Sequence, residues 1–265
     1  MQETEITKQT DVVALGELLI DFTENGVSNQ GNPLFEANPG GAPCNVLAML
    51  TKLGHKTAFI GKVGKDFFGT QLKEAIEQVG ISSDYLYMDE QVHTTLALVH
   101  TFPDGDRDFS FYRNPGADMM LTEEEISEEL IQNARIFHFG TLSMTHNGVR
   151  KATKKAIRIA EQANVLISFD PNLRPPLWDS LEDAREQVLY GLGHCQILKI
   201  SDNEIQWLTG ESDFTKGVEW ILERYEIPLI LVSMGKQGSR AYYGNFMVER
   251  QPFLQKNTIE TTGAG

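Results

Sequence analysis

Cysteine is nearly absent: Cys44 and Cys195 are the only two, far apart and without ligand-like spacing. That excludes a disulfide framework and a cysteine zinc site, and it predicts buried structural thiols in a reducing compartment, the cytoplasm. An excess of positive charge is also lacking. The 265 residues carry 37 acidic against 23 basic side chains, a formal net charge of −14. Nucleic acid is therefore not an expected partner, because neutralising phosphates takes clustered Lys and Arg. The one basic run, Lys151, Lys154, Lys155 and Arg158, lies opposite Ala152, Ala156, Ile159 and Ala163 at helical spacing and reads as a solvated helix face. No apolar run approaches the ~20 residues that a membrane span needs, so no membrane partner is expected. Residues 1–10 are polar and acidic, with neither the apolar core of a signal peptide nor the arginine-rich character of a transit peptide.

The common catalytic strings are missing as well. Gly61-Lys62-Val63-Gly64 lacks the glycine spacing of a dinucleotide loop, and no Gly-Lys pair is followed by Ser or Thr as a P-loop requires. A Gly-x-Ser-x-Gly elbow and a zinc-spaced His pair are absent too. Phosphoryl chemistry in this chain would need another scaffold.

What is present is the composition of a soluble globular protein, 41% hydrophobic and 23% charged, with a core large enough for one α/β domain and a small accessory element. Val12-Val13-Ala14-Leu15-Gly16 is a short apolar run read as a buried strand, and Leu18-Leu19-Ile20-Asp21-Phe22 continues it, closing on an acid among hydrophobic neighbours. Residues 23–39 are polar and rich in Gly, Asn and Pro, as expected of loop or short edge strands. Pro39-Gly40-Gly41-Ala42-Pro43 then leads into a helix over 45–53, with Val46, Leu50 and Leu53 at helical spacing and Gly54 at its close. A strand follows at 57–61. Asp66 can cap the next helix, whose stripe is Phe68, Leu72, Ala75, Ile76 and Val79 and whose stop is Gly80.

Between 92 and 113, two apolar runs flank Pro103-Asp104-Gly105-Asp106, which is hairpin chemistry belonging to a sheet edge or a lid. From 134 onward, strand candidates at 136–139, 165–169, 196–200 and 228–232 alternate with helical patterns near 146–164, 180–191 and 203–225. Such alternation implies right-handed crossovers and an α/β fold, a doubly wound, mainly parallel sheet flanked by helices. Segments 239–243 and 246–250 around Gly244-Asn245 suggest a late hairpin. No internal repeat or low-complexity linker interrupts the chain.

Ligands of doubly wound sheets bind outside the carboxyl ends of the strands. Five polar clusters fall there: Asp21; the turn from Gly40 and Gly41 to Asn45; Asp170-Pro171-Asn172-Leu173-Arg174; the stretch from Lys199 to Glu204; and Ser233-Met234-Gly235. Each alone is an ordinary cap or turn. The last five residues, Thr261-Thr262-Gly263-Ala264-Gly265, read as a tight turn opening a helix, whose backbone N–H groups can hold a phosphate.

Together these residues carry a resemblance. Asn38-Pro39-Gly40-Gly41-Ala42-Pro43-Cys44-Asn45-Val46 resembles the first signature of the ribokinase-like (PfkB) sugar kinases, and Glu260-Thr261-Thr262-Gly263-Ala264-Gly265 resembles their second, normally Asp-Thr-Thr-Gly-Ala-Gly-Asp. Gly16-Glu17-Leu18-Leu19-Ile20-Asp21-Phe22, Phe111-Tyr112-Arg113-Asn114-Pro115-Gly116-Ala117-Asp118, the Phe169 to Arg174 stretch and Lys199-Ile200-Ser201-Asp202-Asn203-Glu204 are similar to the fructokinase branch in particular. The match runs in order from about residue 12 to the end.

The resemblance implies a ribokinase-like fold spanning 1–265 as one domain cut at its C-terminal end, with a small β-sheet lid from about 17–38 and 92–113. It also implies ATP-dependent phosphorylation of D-fructose at O6. Asp21, Gly40, Gly41 and Asn45 are then expected to bind sugar hydroxyls, with Arg174 facing the substrate and Arg107 at the lid edge. Lys199, Ser201, Glu204, Ser233, Gly235, Gly238 and Thr262 fall on the nucleotide side. Glu204 matches the acid that organises Mg²⁺ through water, in an element whose first position is Ser201 in place of Asn. Glu260 stands where relatives have an Asp beside a monovalent cation, so K⁺ is the further implied ion.

Gly263, Ala264 and Gly265 would form the anion hole. The family's general base is the Asp directly after them, beyond Gly265, so the 265 residues alone are expected to show little or no turnover. A kinase for 2-keto-3-deoxygluconate or an aminoimidazole riboside, or a non-catalytic scaffold of the same fold, are the alternative readings. A nucleotide-dependent oxidoreductase is disfavoured by the absent dinucleotide glycines. Relatives often dimerise through the lid, and Leu96, Leu98 and Phe109 are compatible with a homodimer there.

Overall fold

The first strand is apolar at every position from Val12 to Leu15 because both of its faces are covered. Val13 and Leu15 enter one buried cluster, Val12 and Ala14 the other. The computed structural model describes residues 8–101 and 107–253, with the backbone alone for Thr101, Arg107 and Asp108. Its first half comprises β1 (Thr10–Leu15), β2 (Leu19–Val27), β3 (Pro33–Gly40), α1 (Ala42–Lys52), β4 (Thr57–Gly64), α2 (Phe67–Val79), β5 (Ser82–Asp89), β6 (Leu96–Thr101) and β7 (Arg107–Tyr112). Then follow α3 (Glu128–Gln132), β8 (Ala134–Gly140), α4 (Asn147–Gln162), β9 (Leu166–Asp170), α5 (Leu181–His194) and β10 (Ile197–Ser201). The last described elements are α6 (Asp202–Thr209), α7 (Phe214–Leu222), β11 (Leu229–Ser233), β12 (Ser239–Tyr243) and β13 (Phe246–Arg250).

Among the described residues the large sheet has the order β13-β12-β11-β10-β9-β8-β1-β4-β5. Every pairing in it from β5 to β11 is parallel, and β12 and β13 add antiparallel at one edge. This is the mainly parallel α/β sheet expected from the strand–helix alternation. β1 pairs with β4 on one side and β8 on the other, so the strand order reverses at β1. That reversal opens a crevice at the carboxyl end of β1. There the chain leaves the large sheet to build a second, four-stranded sheet of order β3-β2-β6-β7.

Three stretches depart from the sequence reading. Residues 23–39, read as loop or short edge strands, form most of a long hairpin, β2 with β3, of which only β3 is an edge strand; a solvated ladder carries little hydropathy signal, so the strands' length did not show. β5, unread in Ser82-Ser83-Asp84-Tyr85, pairs with β4 at the sheet edge. The helical pattern at 203–225 is two helices: Gly210, at φ 75, ends α6 in the left-handed region, and Asp213 caps α7 by accepting from the Thr215 N–H at 2.9 Å. Elsewhere the punctuation is as read. Asp66 accepts from the Gly69 N–H at 2.8 Å and Gly80 closes α2 at φ 96.

Cys44 and Cys195 are buried free thiols, and burial pushes Cys195 up to about 12 and Cys44 well above the ordinary thiol range. None of the described helices is long and apolar enough to cross a membrane. On α4, the Lys155 ammonium donates to the Glu123 carbonyl at 2.9 Å and Arg158 lies 3.6 Å from the Glu123 carboxylate, so the basic face borders an acidic turn.

Candidate active site

Three chain segments meet at the carboxyl end of β1. β1 exits through Gly16 and Glu17 into β2, and β3 returns into α1 through Gly40 and Gly41. Across the β2–β3 ladder Asp21 sits opposite Asn38, and Leu19 opposite Gly40. A Cβ on Gly40 would run into the Asp21 carboxylate, and one on Gly41 into the Glu17 carbonyl, while Gly41 also holds φ +126. Side chains are therefore excluded from this corner by contact and by backbone conformation. Asn45, exposed on the first turn of α1, donates its backbone N–H to the Gly41 carbonyl at 3.0 Å. The structure thus brings Asp21, Gly40, Gly41 and Asn45 to one corner, the junction of the two sheets.

Beneath that corner lies a buried polar network. Glu17 is 3% exposed and accepts a hydrogen bond from the Ala42 N–H at 2.8 Å. Burial raises its carboxyl from 4.5 to about 7; the Asp118 charge adds to this and Arg113 opposes it. Arg113, just after β7, pairs with Asp118 at 2.6 Å and donates to Thr145 Oγ1 at 2.8 Å and the Leu142 carbonyl at 3.0 Å. The Thr95 hydroxyl donates to the other Asp118 oxygen, and the Thr95 carbonyl accepts from the Ile20 N–H at 3.1 Å. Each passage between the two sheets is therefore fastened by a side chain or a backbone bond.

A second polar group lies at the ends of β9 and β10. Asp170 is buried, with Oδ2 at 3.2 Å from the Lys199 ammonium and Oδ1 without a hydrogen-bond partner. Burial raises it to about 6, with Lys199 opposing and Glu204 adding to the rise. His138 of β8 contacts the Ser168 hydroxyl at 3.0 Å; burial and then Lys199 depress it to about 4, so its ring is neutral at pH 7.

Ser201 and Glu204 cap α6 reciprocally: Ser201 Oγ accepts from the Glu204 N–H at 3.2 Å, and Glu204 Oε2 accepts from the Ser201 N–H at 2.9 Å and its hydroxyl at 2.7 Å. Glu204 Oε1 accepts from the Leu173 N–H at 2.8 Å, tying α6 to the loop after β9. Ser233 lies beside Ser201 across β10–β11, and the turn that follows carries Gly235 at φ 51 and Gly238 at φ 95. Arg174 donates to the Leu173 carbonyl at 3.1 Å, and its guanidinium lies 5.9 Å from the Phe109 ring of β7. It therefore links the loop after β9 to the small sheet.

Among the described residues no three His, Cys, Asp or Glu side chains form a metal cluster. Glu204 spends both oxygens on hydrogen bonds that leave lone pairs over, and Asp170 keeps one oxygen unpartnered. That donor set fits a divalent cation carried on phosphate oxygens and water, not one in a protein cage. Glu260, Thr262, Gly263, Ala264, Gly265 and the side chain of Arg107 lie outside the described residues.

Sequence reading passed over Glu17, His138 and the Arg113–Asp118 pair as individual residues. For Glu17 the signal was available: an acid between Gly16 and Leu18, inside an apolar run. Arg113 and Asp118 lie five residues apart across Pro115, and nothing local shows that they pair with each other and with Thr95.

The match to known proteins covers nearly the whole chain. Residues 9–265 match the model of the pfkB family carbohydrate kinase. Probable fructokinase-4 of Arabidopsis thaliana is 40% identical over 256 residues, covering 96% of this chain and 78% of the relative. The crystal structure of fructokinase from Xylella fastidiosa superposes with a TM-score of 0.85 at 29% identity, over 95% of this chain and 77% of that one. A double mutant of fructokinase from Vibrio cholerae O395, in its fructose-, ADP- and potassium-bound form, gives a TM-score of 0.87 at 28% identity over 97% and 80% of the two chains. On this match and on the doubly wound fold, the chain belongs to the pfkB family of carbohydrate kinases.

Proposed function

We propose that the chain binds D-fructose at the junction of its two sheets and serves transfer of the ATP γ-phosphate to O6, giving fructose 6-phosphate and ADP. The observation that carries this reading is the corner where Gly40 and Gly41 admit close approach of the Asp21 carboxylate and the α1 N-terminus. A carboxylate beside a helix N-terminus offers sugar hydroxyls an acceptor next to partial positive charge. Asp21, Gly40, Gly41 and Asn45 take the hydroxyls, and Arg174 closes the site from the loop after β9. The small sheet is the lid, with Arg107 at its edge; its physical role is to exclude water, which would otherwise accept the phosphate.

On the nucleotide side the reading assigns Lys199, Ser201, Glu204, Ser233, Gly235, Gly238 and Thr262, with Gly263, Ala264 and Gly265 as the anion hole. Glu204 would hold Mg²⁺ through water, and the ion would supply charge neutralisation at the phosphates. Lys199 and the backbone donors orient them. Potassium near Glu260 is proposed from the potassium-bound Vibrio cholerae relative. Half-buried Leu96, Leu98 and Phe109, with exposed Leu34, Phe35 and Tyr112, make the small sheet the proposed homodimer face. The free buried thiols suit the cytoplasm.

Calorimetric titration tests the sugar assignment without requiring turnover. D-Fructose is expected to bind saturably, more tightly with ADP present, and more tightly than glucose, ribose or 2-keto-3-deoxygluconate. Tighter binding of the acidic sugar, abolished in Arg174→Ala, would overturn the fructose reading.

A further inference from the structure

The Glu17 carboxylate lies directly under the turn to which the fructose reading assigns the sugar. Three contacts mould that turn onto the exit of β1. Glu17 Oε1 accepts from the Ala42 N–H at 2.8 Å. The Glu17 carbonyl lies where a Gly41 Cβ would stand, and the Pro43 ring lies where a Gly16 Cβ would stand. Because Pro43 has no N–H, the Ala42 amide is the donor at the start of α1 through which a side chain from β1 can hold this end. The N-cap residue, Gly41, supplies no side-chain hydrogen bond of its own. The charged and titratable groups facing Glu17 are Arg113 and Asp118 from the segment after β7 and Cys44 from α1 itself. Asp118 is held by Arg113 and Thr95, and the Cys44 thiol stays protonated, so the Ala42 N–H is the direct link of α1 to the Glu17 carboxylate.

We infer that Glu17 is a positioning residue of the sugar subsite, holding the Gly41 to Ala42 turn against β1 so that Gly40, Gly41 and Asn45 keep a fixed spacing from Asp21. The inference rests on the assignment of that corner to fructose. A carboxyl placed in an apolar strand exit is a costly way to fill space, and its hydrogen bond reaches the one turn from which three proposed sugar contacts project. The described nucleotide-side groups sit on β10 and β11, on α6 and in the turn after β11, separate from this contact. Loss of Glu17 should therefore weaken sugar binding selectively.

The test is a pair of titrations, with D-fructose and with ADP, on the wild-type chain, Glu17→Ala and Glu17→Gln, alongside amide exchange at Ala42. Ile205→Ala, a core cavity beneath α6 and α7, controls for lowered stability. Glu17→Ala should weaken fructose binding about tenfold or more, the scale of a hydrogen bond to a charged group, and leave ADP affinity within about twofold. Glu17→Gln, which keeps an acceptor of the same reach, should restore fructose affinity to within about threefold and preserve Ala42 protection. Ile205→Ala should lower the melting temperature without weakening fructose.

If Glu17→Ala does not fold, Glu17→Asp, charged but too short to reach Ala42, replaces it with the same expected loss. Wild-type fructose affinity in Glu17→Ala, or parallel loss of fructose and ADP binding, overturns the positioning role. Absence of fructose binding in the wild type overturns the fructose reading and this role with it, whereas unchanged Ala42 exchange in Glu17→Ala refutes the contact alone.

Discussion

Glu17 also makes a prediction about stability that needs no ligand. Its carboxyl rises from 4.5 to about 7 in the fold because the surrounding apolar atoms disfavour the charge. Between those two values the folded chain keeps a proton that the unfolded chain has already released. Stability therefore falls as pH rises through the window and levels off above about 7. At 1.36 kcal/mol per pH unit the full effect is about 3 kcal/mol. Glu17→Gln has no proton to lose, and whatever its extra N–H groups cost is independent of pH. The difference in unfolding free energy, Gln minus Glu, should thus move in favour of Gln by about 3 kcal/mol between pH 4.5 and 8, worth roughly 6–12 °C in melting temperature for a chain of this size. Urea denaturation of both proteins at half-unit pH intervals measures it, and every group the two share cancels. A difference that stays flat across the range would mean that Glu17 ionises as if in water, and the burial argument would fail.

The remaining expectations are briefer. His138, held neutral with its value near 4 against 6.5 when exposed, gives stability that is lost as pH falls from 6.5 toward 4, by about 3 kcal/mol in all; His138→Gln should remove that acid slope in the same denaturation series. Asp118→Ala leaves the Arg113 guanidinium buried without its carboxylate and should cost about 3–5 kcal/mol by urea unfolding. Gly41→Ala forces a Cβ toward the Glu17 carbonyl at φ +126 and should cost about 1–3 kcal/mol while weakening fructose binding by titration. Asp21→Ala should weaken fructose binding by about a hundredfold with ADP affinity unchanged, on the scale of losing charge-assisted hydrogen bonds to sugar hydroxyls.

Much of the large sheet was legible because its strands are buried on both faces and its helices carry clear stops. Val12-Val13-Ala14-Leu15 and Phe137-His138-Phe139 are runs that only a covered parallel strand sustains, and Asp66 and Gly80 bracket α2 as their chemistry requires. The β2–β3 hairpin was legible only as loop or short edge strands, since Thr23-Glu24 facing Phe35-Glu36 obtains its order from a ladder and not from burial. The break at Gly210 was hidden for the opposite reason: apolar residues continue on both sides of it, and periodicity alone carries across a single left-handed residue.

The sugar corner divides the same way. The order of its motifs and its glycines belongs to local sequence, because a turn that excludes Cβ atoms must be written with glycine wherever it occurs. The partners of Glu17, Arg113 and Asp118 do not. Glu17 meets Ala42 across 25 positions and Thr95 meets Asp118 across 23, distances that no periodicity spans. Sequence determined the strands covered on both faces, the capped helix ends and the tight turns, since those depend on composition and on neighbours a few residues away. Tertiary structure alone decided which charges share one buried space, and burial, more than residue type, sets how Glu17, His138 and Asp170 hold their protons.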